Sequence, residues 1–107
     1  MAIKHAESGE VIDLRPLGEG LKDATTRALV KTDHLELIRM VLSAGKEVRE
    51  HSAPREITMY CIEGAIEVRC HNTTQRLEAG RMLFLDAGEP HSLKAIEDSS
   101  LLVTMVL

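Results

Sequence analysis

The chain has 107 residues and a mass of 11.8 kDa, the size of one domain, with 13 basic against 17 acidic residues and a formal charge of −4. Hydrophobic residues make up 44% and charged residues 28%, which is too apolar for a disordered chain, and no apolar run approaches the roughly 20 residues of a membrane helix. The acidic balance excludes a partner held by a basic face, as nucleic acid is, and the two aromatic residues, Tyr60 and Phe84, make no stacking platform for single strands.

Met1–Glu10 lacks the apolar stretch of a secretory leader. Residues Leu21–Val30 carry no clean 3.6-residue period, and Thr25-Thr26 argues further against a helix there. Strand signals are frequent instead. In chain order they predict strands at Val11–Leu14, Thr26–Lys31, Leu35–Leu42, Glu47–Glu50, Ile57–Ile62, Ala65–His71, Gln75–Glu78, Met82–Leu85, Ser92–Ile96 and Leu101–Val106. The breaks between them are short and rich in Gly, Pro, Asn and Asp; Gly18-Glu19-Gly20 reads as a turn. Such punctuation suits antiparallel neighbours in an all-β sandwich or barrel.

Alternation sorts the faces. Ile66, Val68 and Cys70 share one side of their strand, and Glu67, Arg69 and His71 the solvent side. Glu36 has to compete with Leu35, Leu37 and Val41 for an inward face, and an acidic residue is seldom buried without a partner. The strand Leu101–Val106 is largely apolar on both faces, so both need a cover, and a second subunit is the expected one: a homodimer. Two cysteines, Cys61 and Cys70, make no disulfide framework, and a reducing cytoplasmic setting is expected.

Two loops each deliver a histidine next to a strand. The first runs from Gly45 through His51, Ala53 and Ile57 to Gly64; the second runs from Gly80 through Asp86, Gly88 and His91 to Ala95. In these spacings the sequence resembles the cupin superfamily, whose motifs are G-x5-H-x-H-x3-4-E-x6-G and G-x5-P-x-G-x2-H-x3-N. Gly45, His51 and Gly64 fall in place in the first motif, and Gly80, Gly88 and His91 in the second. The 15 residues between Gly64 and Gly80 suit a small single-domain cupin. Glu63-Gly64 followed by Ala65–Val68 looks like the family's hairpin. The resemblance covers about Leu35 to the C-terminus. It implies a double-stranded β-helix, or jelly roll: two antiparallel sheets rolled into a barrel with a pocket inside. Residues 35–107 would be its core, and residues 1–34 would supply strands completing the barrel or a dimer.

The family's metal is held by two histidines and a glutamate of the first motif and the histidine of the second. Here only His51 and His91 match. Ala53 replaces the other histidine, and Ile57 (Thr58 in the longer spacing) replaces the glutamate; Asp86 and Ala95 replace the second motif's proline and asparagine. With half the ligands gone, a divalent transition ion (zinc, nickel, iron or manganese) would be weakly held. Cys61 shares the face of Ile57 by period two and is the one substitute ligand in reach of the pattern, although about 13 Å of extended strand separates it from that position; the other reading is a small buried hydrophobe. The expected pocket lining is Ile57, Met59, Cys61, Leu93 and Ala95. Arg49, Glu50, Arg55, Glu56, Asp86 and Glu89 either rim that pocket or form solvated loops, and His5, His34 and His71 belong to neither motif. The expected function is small-molecule binding, with or without a weak metal. The alternatives are a metal-dependent enzyme of dioxygenase, isomerase or decarboxylase type using His51 and His91, and an inert scaffold.

Overall fold

Short apolar and β-branched runs between turn residues form nine strands in the computed structural model, which describes residues 4–107. They are β1 (Arg27–Lys31), β2 (Leu35–Leu42), β3 (Glu47–His51), β4 (Ile57–Glu63), β5 (Ala65–Cys70), β6 (Thr73–Glu78), β7 (Met82–Leu85), β8 (His91–Ala95) and β9 (Ser99–Val106). Gly18–Asp23 forms a 3₁₀ helix, longer than the turn expected at Gly18-Glu19-Gly20. The expected strand at Val11–Leu14 is absent: Val11 is 97% exposed, and no neighbouring strand offers this stretch a ladder. The reading of Met1–Ile3 as part of a leader-free start lies outside the described residues.

Two antiparallel sheets result, with strand orders β1-β2-β9-β4-β7 and β3-β8-β5-β6. Most short connections do not make hairpins; they carry the chain from one sheet to the other, as a jelly roll requires. Glu63-Gly64 is such a corner and not the hairpin expected of it, since β4 and β5 lie in different sheets. Gly64 turns the corner at φ +87°, and a Cβ there would collide with the Asp98 carbonyl and with Ser99, so only glycine fits. The buried Ser99 hydroxyl closes the corner: it accepts from the Ala65 amide at 3.0 Å and donates to the Glu97 carbonyl at 2.8 Å. The hairpin β5–β6 is made by His71 and Asn72, both at positive φ (52° and 59°), the two-residue turn whose twist matches its strands.

The core lies between the sheets. Leu42, Ile57, Met59, Cys61, Leu85, Leu101 and Val103 meet Ile66, Val68, Leu77, Leu93 and Ala95. Alternation holds in β5, where Ile66 and Val68 are buried and Glu67 and Arg69 exposed. In β2 the faces are the reverse of the competition expected: Ile38, Met40 and Leu42 pack inward, so Glu36 lies on the inward face too, opposite Met105, and Leu35, Leu37 and Val41 face out. The Glu36 carboxylate lies 3.5 Å from the ammonium of Lys31, its partner across β1–β2.

On the outer face of the larger sheet Arg39, 6% exposed, ties the segment before β1 to the barrel. Its Nη2 donates to the Arg15 carbonyl at 2.8 Å and, at 3.4 Å each, to Glu63 Oε2 and Ser100 Oγ. Glu63 accepts from the amides of Leu17 and Gly18 at 3.0 and 3.1 Å and from the Ser100 hydroxyl at 2.5 Å. Burial pushes the Glu63 carboxyl up, but the Ser100 hydroxyl, the two amides and the Arg39 charge outweigh it, so its pKa lies below the ordinary 4.5. A depressed carboxyl stabilises the fold above its unfolded pKa and loses that contribution as pH falls through the folded one. E63Q is therefore expected to cost about 2 kcal/mol in denaturant unfolding at pH 7. The gap to wild type should narrow as pH falls below the ordinary 4.5 and through the depressed pKa, where the wild-type carboxylate protonates.

Candidate functional site

His51 ends β3 and His91 begins β8, and the two face each other across the ladder as a residue pair. Plain alternation does not put them there. Val48 pairs Leu93 and His51 pairs His91, so three steps on β3 span two on β8. That extra residue is a β-bulge at Arg49–Glu50. Without it, Glu50 would take the place opposite His91 and His51 would point to the outer face; the bulge restores His51 to the side of Val48.

The two ring centroids are 4.3 Å apart, with the planes tilted by 56°. His91 is 1% exposed, whereas His51 is open to solvent. Each ring is fixed in the same way. His51 Nδ1 lies 2.9 Å from the Arg49 carbonyl, and His91 Nδ1 lies 2.9 Å from the Glu89 carbonyl. A carbonyl only accepts, so each Nδ1 carries a proton, and in the neutral ring each Nε2 presents a lone pair. The Nε2 of His91 is buried and has no partner. A buried acceptor in that condition costs about 1–3 kcal/mol until something donates to it.

The loops around the pair hold one another. The Ala53 carbonyl accepts from the Gly88 amide at 2.8 Å, and the Glu89 amide closes a turn on the Asp86 carbonyl. The Glu89 side chain, half-buried, pairs with His71 at the β5–β6 turn. Glu89 thus anchors the loop by its carboxylate and His91 by its carbonyl, a double role that no motif position signals. Arg49, Glu50, Arg55, Glu56 and Asp86 are exposed, as are His5, His34 and His71.

Cys61 does not join the histidines. Its thiol is wholly buried and lies near the Glu63 and Gly64 carbonyls at 3.4 and 3.7 Å, at the opposite end of β4 from Ile57. Burial pushes its pKa up, so the sulfur stays a neutral thiol rather than the thiolate a metal needs. Among the described residues no group of three His, Cys, Asp or Glu side chains is placed to hold a metal ion. The residues present therefore fit the four-ligand metal of the resemblance only in part, through two imidazoles. Ile57, Met59, Cys61, Leu93 and Ala95, expected to line a pocket, all belong to the packed core, at most 4% exposed. Ala53, in the position of the missing histidine, packs against that core from the mouth.

A sequence model described as "Cupin domain" matches residues 38–107. The chain is a cupin. Its fold is shared by a conserved protein of unknown function from Streptococcus pyogenes, 27% identical, with a TM-score of 0.78 over 99% of this chain and 94% of that one. A cupin superfamily protein from Desulfitobacterium hafniense superposes with a TM-score of 0.79 at 14% identity, over 100% of this chain and 99% of that one. Salicylate 1,2-dioxygenase from Pseudoaminobacter salicylatoxidans is 23% identical, with a TM-score of 0.69 over 74% of this chain and 25% of that one. No curated protein matches the sequence. Within the cupin frame, the tautomers follow from the two carbonyls. Long-range ¹H–¹⁵N spectra at pH above 7.5 are expected to show both His51 and His91 protonated on Nδ1, with the free ring nitrogen at Nε2.

Proposed function

We propose that this cupin binds a small molecule at the barrel end where His51 and His91 meet, and that a divalent metal, when present, is held weakly by the same two Nε2 atoms. One observation carries the reading: the buried, unpartnered Nε2 of His91 beside the open ring of His51. Such a lone pair calls for a hydrogen-bond donor or a cation, so the favoured ligand presents a hydroxyl or an ammonium group. A weak ion would have two protein ligands, and water or the bound molecule would supply the others. The enzyme reading needs at least one further ligand, which the substitutions at Ala53 and Ile57 do not provide.

Metal analysis of protein purified without added metal tests both readings. Substoichiometric metal is expected, abolished by H51A or H91A. The double substitution A53H with I57E should raise zinc or nickel affinity about a hundredfold by restoring the four-ligand set. Metal content at unit stoichiometry in the wild type would favour the enzyme reading. A thermal midpoint unmoved by every hydroxyl- or ammonium-bearing compound in a panel, and by metal, would overturn the binding reading.

We also propose that the protein works as a homodimer in the cytoplasm. Free Cys61 and Cys70 suit a reducing compartment, and no helix among the described residues is long and apolar enough to cross a membrane. The second copy would cover the outer face of β9, β4 and β7, where Met82, Phe84 and Val106 are 62%, 60% and 43% exposed. Sedimentation is expected to give a dimer for the wild type and a monomer for F84E.

A further inference from the structure

A cleft of about 790 Å³ lies between the segment before β1 and the outer face of the larger sheet, away from the histidine pair. Leu29 and Val41 line it from the sheet and Ile12 from the segment. Arg27 and Arg39 line it as well, and they are direct partners across β1–β2. Two like charges placed opposite each other repel unless something negative lies between them. Arg39 meets Glu63 only through Nη2, at 3.4 Å; its Nε is buried and has no partner at all. Arg27 forms no ion pair among the described residues. The third arginine of the cleft, Arg15, is already paired with Asp13 at 2.7 Å, which holds the Asp13 carboxyl well below the usual carboxylate range. Of the other acidic lining residues, Glu10 and Asp23 are exposed.

We infer that this cleft is a second binding site, for a small organic acid: its carboxylate sits between Arg27 and the Nε–H of Arg39, and its apolar body lies against Leu29 and Val41. The carboxylate relieves the arginine pair and satisfies the buried donor; the sheet face supplies the apolar contact. A bare inorganic anion would gain only the first of these.

Benzoate and hexanoate are suitable probes, with benzamide as the uncharged control. Titration is followed by NMR of the arginine Nε–H groups and of the Ile, Leu and Val methyls. Both carboxylates are expected to give saturable shifts at Arg39 Nε–H and at the methyls of Leu29 and Val41. R27Q should weaken them about tenfold, since it removes a charged contact at an exposed position without disturbing the Arg39 tie. H51A and H91A should leave the titration unchanged, which separates this site from the one at the barrel mouth. The inference is overturned if no saturable shift occurs, if benzamide binds as well, if R27Q binds like wild type, or if the shifts centre on His51 and His91.

Discussion

One extra residue in β3 sets the chemistry of the barrel mouth. Strand pairing has a strict period of two, so a histidine at an odd step from Val48 belongs to the outer face. The bulge between Val48 and His51 cancels that parity and lays one imidazole against another. The backbone then completes the arrangement. Carbonyls of Arg49 and Glu89, each two residues before its histidine, take the Nδ1 protons and leave Nε2 as the free nitrogen of each neutral ring. The position and the tautomer of each ring therefore come from the main chain, while the Glu89 carboxylate holds its loop to the β5–β6 turn through His71.

The outer face of the larger sheet is organised by a different force. There a buried arginine and carboxylate are matched by amides, a carbonyl and a hydroxyl, so that an ion pair with a poor 3.4 Å contact is still well satisfied on the Glu63 side. Arg39 is less completely matched than Glu63: its Nε has no partner, and the residue is one of those lining the cleft. The two unpartnered buried side-chain nitrogens of the described residues, Arg39 Nε and His91 Nε2, lie apart, one at each of the two proposed sites. One is a donor that seeks an anion; the other is an acceptor that seeks a donor or a cation.

Much of the fold was legible in the chain. Leu35–Leu42 and Met82–Leu85 are bounded by turn residues on both sides, and those strands run to the residues expected. The motif spacing placed His51 and His91 at loop–strand junctions, where they are. What stayed hidden has physical causes. Val11–Leu14 has strand composition but no edge to pair with, and composition does not reveal a missing partner. The faces of β2 were misread because leucines outvoted Glu36, whereas Lys31 across the ladder lets a carboxylate stay on the inward side. Arg39, a charge inside an apolar run, was the visible signal of the outer network, yet its partner Glu63 is 24 positions away. The bulge left no mark, since neither Arg49 nor Glu50 is a residue type that demands one. Ile57 and Cys61 were legible as inward-facing, but whether an inward face lines a cavity or fills it depends on packing from the opposite sheet.

The way the chain passes between sheets also governs how it must acquire its shape. Among the described residues, only β1–β2 and β5–β6 join strands that are neighbours in both sequence and sheet. β2 finds its second partner in β9, with Leu35 opposite Val106 and Leu42 opposite Ser99. β4 waits for the same strand. Closing so long an excursion is entropically slow. During synthesis, the middle of the larger sheet stays open until β9 has emerged from the ribosome. Until then the edges of β2 and β4 that β9 will join are unpaired, a period of exposure in which a chaperone, or another nascent copy, can reach them.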